Sequence, residues 1–157
     1  MKKNNSRKRR RRLTHDPTEK KKFSSPSVPI KDRKKTFVIW FDEITNNDVS
    51  IVGGKNASLG EMYQKLIPKG VNIPNGFALT SYAFRHFLEI NGLDEKIKKV
   101  LEGLDTHDVT NLSRKGSEIR QAILESPFPV ELETAIREAY KQLSKEYTMR
   151  NVDVAVR

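Results

Sequence analysis

Apolar side chains stand at successive positions in Phe37-Val38-Ile39-Trp40-Phe41. A β-branched and aromatic run without polar alternation predicts a short strand at 36–41 buried on both faces. Residues 42–50 are polar and turn-prone, and Ile51-Val52 then leads as a further extended piece into Gly53-Gly54-Lys55. Between 56 and 67, Leu59, Met62, Tyr63 and Leu66 recur at helical spacing, and Pro68 and Gly70 are placed to end that helix. After Pro74-Asn75-Gly76, residues 77–80 predict a second short strand.

The rest of the chain is patterned for helices. Ser81 is the expected N-cap of one carrying Phe84, Phe87 and Leu88 and stopped by Asn91-Gly92. A short helix follows at about 94–102. Asp108 is placed to cap a longer one with Leu112, Ile119 and Ile123 on one face, ended by Ser126-Pro127. Pro129 opens the last, which shows Leu132, Ile136, Tyr140, Leu143 and Tyr147. Residues 152–156 alternate and predict a strand running to Arg157, as in a domain cut short. An unpaired sheet edge there makes the isolated chain expected to be marginal or aggregation-prone. The pattern gives an α/β (α+β) fold class with no internal repeat.

Charge divides the chain in two. Of 157 residues, 30 are Lys or Arg and 20 Asp or Glu, a formal net charge of +10. Residues 1–35 hold fifteen of the basic groups against three acidic ones; the other 122 residues carry fifteen basic against seventeen acidic. Only five of the first 35 residues are hydrophobic, against 51 of the remainder. Such a segment cannot bury enough apolar surface to offset the entropy of ordering it. The expected organisation is a disordered basic tail at 1–35 and a folded part at 36–157.

The run Lys8-Arg9-Arg10-Arg11-Arg12 has the charge of a nucleic-acid patch, but no aromatic residue interleaves it, and the folded part is slightly acidic. Nucleic-acid binding is therefore disfavoured. The absence of cysteine excludes a disulfide scaffold, a thiol nucleophile and thiolate metal sites. The longest apolar run is five residues, where a membrane helix needs roughly 18. No apolar segment follows the basic N-terminus, so neither a membrane partner nor a secretory signal is expected, and a cytoplasmic location is.

The strongest candidate for chemistry is Gly53-Gly54-Lys55 at the start of a helix. Two glycines let a ligand approach the backbone, the helix start presents unpaired N–H groups, and the lysine adds a mobile cation. It is not a Walker A loop: Val49 stands where the first glycine belongs, and Asn56 follows the lysine in place of Ser or Thr. On spacing alone, two readings stand: a phosphate-binding turn, and a tight turn with a solvated lysine. His15, His86 and His107 show no metal-ligand spacing, and His86 in a mixed helix face reads as packing or surface. The carboxylates of Asp42-Glu43 and of Asp105 and Asp108 read as turn caps. No serine has the Gly-x-Ser-x-Gly context.

Six collinear segments then carry a resemblance. They are Asp48-Val-Ser-Ile-Val-Gly-Gly-Lys-Asn-Ala-Ser-Leu-Gly-Glu-Met62, Gly70-Val-Asn-Ile-Pro-Asn-Gly-Phe-Ala78, Phe87-Leu-Glu-Ile-Asn-Gly-Leu93, Ser126-Pro-Phe-Pro129, Ala135-Ile-Arg-Glu-Ala-Tyr140 and Val152-Asp-Val-Ala-Val-Arg157. Together they resemble the start of the phosphoenolpyruvate synthase (pyruvate, water dikinase) family over about 37–157. The resemblance implies the N-terminal part of an ATP-grasp-like nucleotide-binding domain. It further implies a reaction of ATP, pyruvate and water giving AMP, phosphoenolpyruvate and phosphate, with Mg²⁺, through a phosphohistidine on another domain. The family's nucleotide-phosphate lysine falls on Lys55, preceded by Gly53 and Gly54, and its phosphate-contacting arginine falls on Arg157. Fixed cations and backbone amides are what phosphoryl transfer demands. The family's Ser-Ser-Ala-Thr-like continuation, phosphocarrier histidine motif and pyruvate-binding barrel have no match here, so no catalytic or metal-ligating residue is assigned and the chain alone is expected to be inactive. Leu79 and Ser81 stand where the family more often has threonine and alanine. The alternatives are the same domain of pyruvate, phosphate dikinase or of a rifampin phosphotransferase, and a non-catalytic basic-tailed binding protein; Asn56-Ala-Ser-Leu-Gly-Glu-Met62 favours the synthase.

Overall fold

A computed structural model describes residues 33–156. The tail through residue 32, with its basic run and His15, and the candidate Arg157 lie outside the described residues.

In chain order the elements are strand β1 (Val38–Trp40), helices α1 (Val49–Val52) and α2 (Gly54–Leu66), strand β2 (Phe77–Leu79), and helices α3 (Ser81–Ile90), α4 (Leu93–Leu101), α5 (Val109–Glu125) and α6 (Val130–Glu146). The fold is thus mostly helical, with one small sheet. β1 and β2 pair antiparallel in the register Val38↔Leu79, Ile39↔Ala78 and Trp40↔Phe77. Phe41 N–H to Gly76 O and Thr80 N–H to Phe37 O extend the ladder at both ends.

The apolar run buries both faces, as its lack of alternation predicts. Ile39 and Ala78 face a cluster with Ile44, Val52 and Ala57, beneath α1 and α2. Trp40, Val38 and Phe77 turn the other way, against Ala139, Leu143 and Val152; the Trp40 and Phe77 rings meet edge to face at 5.6 Å. Phe37 packs on a third cluster built from Ala83, Phe87, Leu93, Ala122 and Leu132, which joins α3 to α6. Ile39 and Ile44 are fully buried, each stabilising by roughly 2–3 kcal/mol. At Gly60, α2 crosses the 42–48 segment so closely that a Cβ would lie 2.5 Å from Ile44 O.

The structure departs from the sequence expectations at four places. Residues 49–52 form one helical turn, not a strand. A capping box of Thr45 and Asp48 starts a 3₁₀ turn at Asn46–Asp48 that runs directly into α1. The N-cap of α3 is Thr80, not Ser81: its buried hydroxyl accepts from Ala83 N–H at 3.1 Å and donates to Thr36 O at 2.5 Å. Residues 152–156 are not a strand. The Val152 N–H donates to Ser144 Oγ at 3.3 Å and its carbonyl accepts from Tyr140 Oη at 2.9 Å, so α6 takes both ladder groups. Finally, Arg33–Lys35 at the end of the basic segment forms a 3₁₀ turn. There Arg33 Nη1 donates to Glu43 O at 3.0 Å and to Asp48 Oδ2 at 3.2 Å.

Candidate functional site

Gly53 closes one helix and opens the next. Its φ of +79° with ψ of 157° is a conformation essentially reserved for glycine. The Gly53 N–H closes α1 onto Val49 O at 2.9 Å, while its carbonyl accepts from Ala57 N–H at 3.0 Å, the first bond of α2. No side chain caps the α2 N-terminus. The amides of its first turn therefore point outward with the positive end of the helix dipole. Nothing lies within 4 Å of a Cβ built on Gly53 or on Gly54, so the backbone is open to a ligand on that side.

Lys55 is exposed and makes no salt bridge among the described residues. Asn56, the residue that breaks the Walker pattern, serves the turn in another way. Its Nδ2 donates to Val52 O at 2.8 Å, satisfying the C-terminus of α1 across the glycine turn. Ser81 Oγ donates to Ser50 O at 3.3 Å, tying α1 to the start of α3. Uncapped amides, two unobstructed glycines and an unpaired ammonium fit a phosphate group and offer nothing to a cation. Of the sequence-derived candidates the structure brings Gly53, Gly54 and Lys55 together; Arg157 lies outside the described residues.

Sequence reasoning missed the support beneath this turn. Asp48 is buried, and its Oδ2 accepts from Thr45 N–H at 2.9 Å, Thr45 Oγ1 at 3.0 Å and Arg33 Nη1 at 3.2 Å. Thr45-x-x-Asp48 was the available signal; Arg33 gave none, because composition assigns it to the tail. His86 is packed, with Nε2 2.7 Å from Glu131 Oε1 and its ring 5.1 Å from Phe37 and 6.1 Å from Tyr82. Asp108 Oδ1 caps α5, accepting from Thr110 and Asn111 N–H groups at 3.0 Å, and Asp105 Oδ1 accepts from His107 N–H at 2.9 Å. Among the described residues no group of three or more His, Asp and Glu could hold a metal ion, and no helix is long and apolar enough to cross a membrane.

A second polar cluster closes the opposite end of the sheet. Asn75 N–H donates to Tyr147 Oη at 2.8 Å, and its Nδ2 reaches both carboxylate oxygens of Glu146 at 3.1 and 2.9 Å. Burial holds the Glu146 carboxyl above its ordinary range; repulsion from Asp42 adds to that and the Asn75 amide opposes it. Burial, with the nearby Glu146 and Asp42 charges, pushes the Tyr63 phenol up to about 12. The Asn75 bonds to Glu146 and Tyr147 fix the Pro74-Asn75-Gly76 turn onto the C-terminal end of α6.

Residues 49–157 match the model of a protein family described as "Pyruvate phosphate dikinase, AMP/ATP-binding domain". That interval contains the glycine turn and Lys55. The chain is 50% identical over 126 residues to a phosphoenolpyruvate synthase of Aquifex aeolicus, covering 80% of this chain and 15% of that protein. It is 46% identical over 132 residues to one of Synechocystis sp., covering 82% and 16%. It is 50% identical over 120 residues to one of Escherichia coli, covering 76% and 15%. The chain thus spans about 15% of the length of these curated relatives.

Proposed function

The chain belongs to the pyruvate phosphate dikinase AMP/ATP-binding domain family, and from that premise we propose that it is the ATP-binding front portion of a phosphoenolpyruvate synthase. In this reading it is the first part of an ATP-grasp-like domain. It takes part in converting pyruvate to phosphoenolpyruvate with ATP, Mg²⁺ and water, a gluconeogenic step in the cytoplasm. Residues 1–35 are a basic tail outside the nucleotide-binding portion at 36–157. Identities near half to phosphoenolpyruvate synthases over most of this chain favour this reading over pyruvate, phosphate dikinase and rifampin phosphotransferase relatives.

The observation that carries it is the glycine turn, where the uncapped amides of α2 are unobstructed at Gly53 and Gly54 and the exposed Lys55 follows directly in the first turn. Gly53 sets the direction of α2, Gly54 leaves room for an oxygen to reach the first-turn amides, and Lys55 supplies positive charge where phosphoryl oxygens gather. Arg157 is proposed as a second cation on the same phosphates. ATP supplies the transferable phosphoryl group, and Mg²⁺ enters with the triphosphate. No histidine of this chain is assigned as the phosphocarrier; that residue and the pyruvate site belong to sequence outside these 157 residues, and the chain alone is inactive.

Isothermal titration with ATP tests this directly. The full chain should bind ATP, and Lys55→Ala should weaken binding about tenfold or more with an unchanged melting temperature. In a polypeptide carrying the remaining domains, the same variant should lose ATP-dependent autophosphorylation. Equal ATP affinity in Lys55→Ala and the parent would overturn the assignment.

A further inference from the structure

A groove of about 500 Å³ runs between α4 and α5, lined by Lys96, Lys99, Val100, Arg114, Lys115 and Glu118. It shares no residue with the glycine turn. Four basic residues line it against one acidic one, although the folded part of the chain is slightly acidic overall. Lys96, Lys99 and Arg114 form no salt bridge among the described residues.

Lys115 is the informative member. It is only 8% exposed, yet the partner of its ammonium is a neutral one, the carbonyl of Glu102 that follows α4. An ammonium has three donors, and among the described residues Glu102 O is the one partner found for it, while Lys115 also lines the groove. A buried cation without a counter-charge is costly, and an anion bound beside it supplies both the missing charge and the missing acceptors. Lys96 and Lys99, three residues apart on one face of α4, and Arg114 line the same groove and bring further donors to it. The groove is larger than one phosphate requires and carries a formal excess of three positive charges. No aromatic ring lines it, so it offers a nucleobase no stacking surface.

We propose that the α4–α5 groove binds an oligophosphate, a chain of phosphoryl groups recognised by Lys96, Lys99, Arg114 and Lys115, at a site separate from the glycine turn. Two sources share that chemistry, inorganic tripolyphosphate and the triphosphate of a nucleotide; the absent stacking surface makes the phosphate chain alone the recognised part.

Amide-resolved NMR titration of the full chain with tripolyphosphate, and separately with ATP, is the test. Tripolyphosphate should shift the amides of 96–99 and 114–118, and ATP should shift the same set with no tighter affinity for it. Lys96→Gln with Arg114→Gln, both on the groove wall, should weaken that response about tenfold, and Glu118→Gln should strengthen it. Lys55→Ala should leave it unchanged, which separates failure here from failure of the kinase reading. Shifts confined to the basic tail or to 53–55, equal affinity in the Lys96/Arg114 double variant, or tighter groove binding of ATP than of tripolyphosphate would each overturn the proposal.

Discussion

Gly60 leaves no room between α2 and Ile44: a Cβ at residue 60 would lie 2.5 Å from Ile44 O, 2.6 Å from its Cβ and 2.7 Å from its Cγ2. Ile44 is fully buried and Gln64 Nε2 donates to its carbonyl at 2.5 Å, so neither side can retreat. Replacement by alanine normally gains up to about 1 kcal/mol of helix propensity, but here overpacking, typically 1–3 kcal/mol, opposes and exceeds it. Gly60→Ala is expected to lower stability by about 2 kcal/mol in urea unfolding. Gly116→Ala in α5 is the control: its Cβ meets only the far end of the long Arg120 side chain, Nη1 at 3.2 Å and Cζ at 4.0 Å, and a gain of up to about 1 kcal/mol is expected. Equal effects at the two sites would refute the contact argument.

Gly53 and Gly54 are both uncrowded, yet their substitutions should behave differently. Gly53→Ala must hold φ at +79°, a strain of about 1–2 kcal/mol, and should lower the melting temperature. Gly54→Ala has no such strain and should leave stability within about 0.5 kcal/mol while placing a methyl over the first-turn amides. A calorimetric melt beside an ATP titration distinguishes the two; loss of ATP binding without loss of stability is the expected signature of Gly54→Ala.

Asp48 and Arg33 form a pair in which both side chains are largely withdrawn from water. Removing one partner leaves the other charge poorly solvated. Arg33→Ala should destabilise by about 1–2 kcal/mol, and Asp48→Ala by about 2–3 kcal/mol because it also removes the cap on residues 45–48. A double-mutant cycle should give a coupling of about 1 kcal/mol. A coupling near zero would show that Arg33 contributes nothing beyond the cap.

The Asn75 cluster sets two pH limits. An unfolded tyrosine ionises near 10, whereas Tyr63 does so at about 12 in the fold. Between those values the folded state binds more protons than the unfolded one, so stability falls as pH rises through the window. Glu146 obeys the same sign with its folded pKa raised: its favourable contribution is complete below the ordinary glutamate value and is lost as pH rises through the folded one. Burial also raises the Tyr147 phenol, although its bond from the Asn75 N–H opposes this, so Tyr63→Phe should reduce, without abolishing, the alkaline loss measured by chemical unfolding between pH 10 and 12, and Glu146→Gln should flatten the acidic limb. A Tyr63→Phe curve identical to the parent's would exclude the phenol as the cause.

The longer helices were legible because of their punctuation: Pro68 and Gly70 after α2, Asn91-Gly92 after α3, Asp108 before α5, Ser126-Pro127 after it and Pro129 before α6. Both strands of the sheet were legible as dense apolar runs. What failed were segments whose form depends on distant partners. Ile51-Val52 looks extended locally, but the Thr45–Asp48 box upstream commits it to a helical turn. The alternation at 152–156 is that of a strand, yet Tyr140 and Ser144 take the Val152 backbone groups. Gly53, Gly54 and Lys55 were readable as a glycine turn opening a helix, with phosphate binding one of the two readings that residue type left open. The buried Lys115 was not, because a lysine's neighbours are set by how α4 lies on α5.

Phe37, Ile39 and Trp40 each anchor in a different apolar cluster, although they lie within four consecutive positions, one just before β1 and two within it. No cluster can therefore melt and release that strand without unmooring the other two. The described part of the chain should come apart in a single step, with the slowest amide exchange at β1. Any ligand gripping the glycine turn would then raise the resistance of every helix at once, those far from it included.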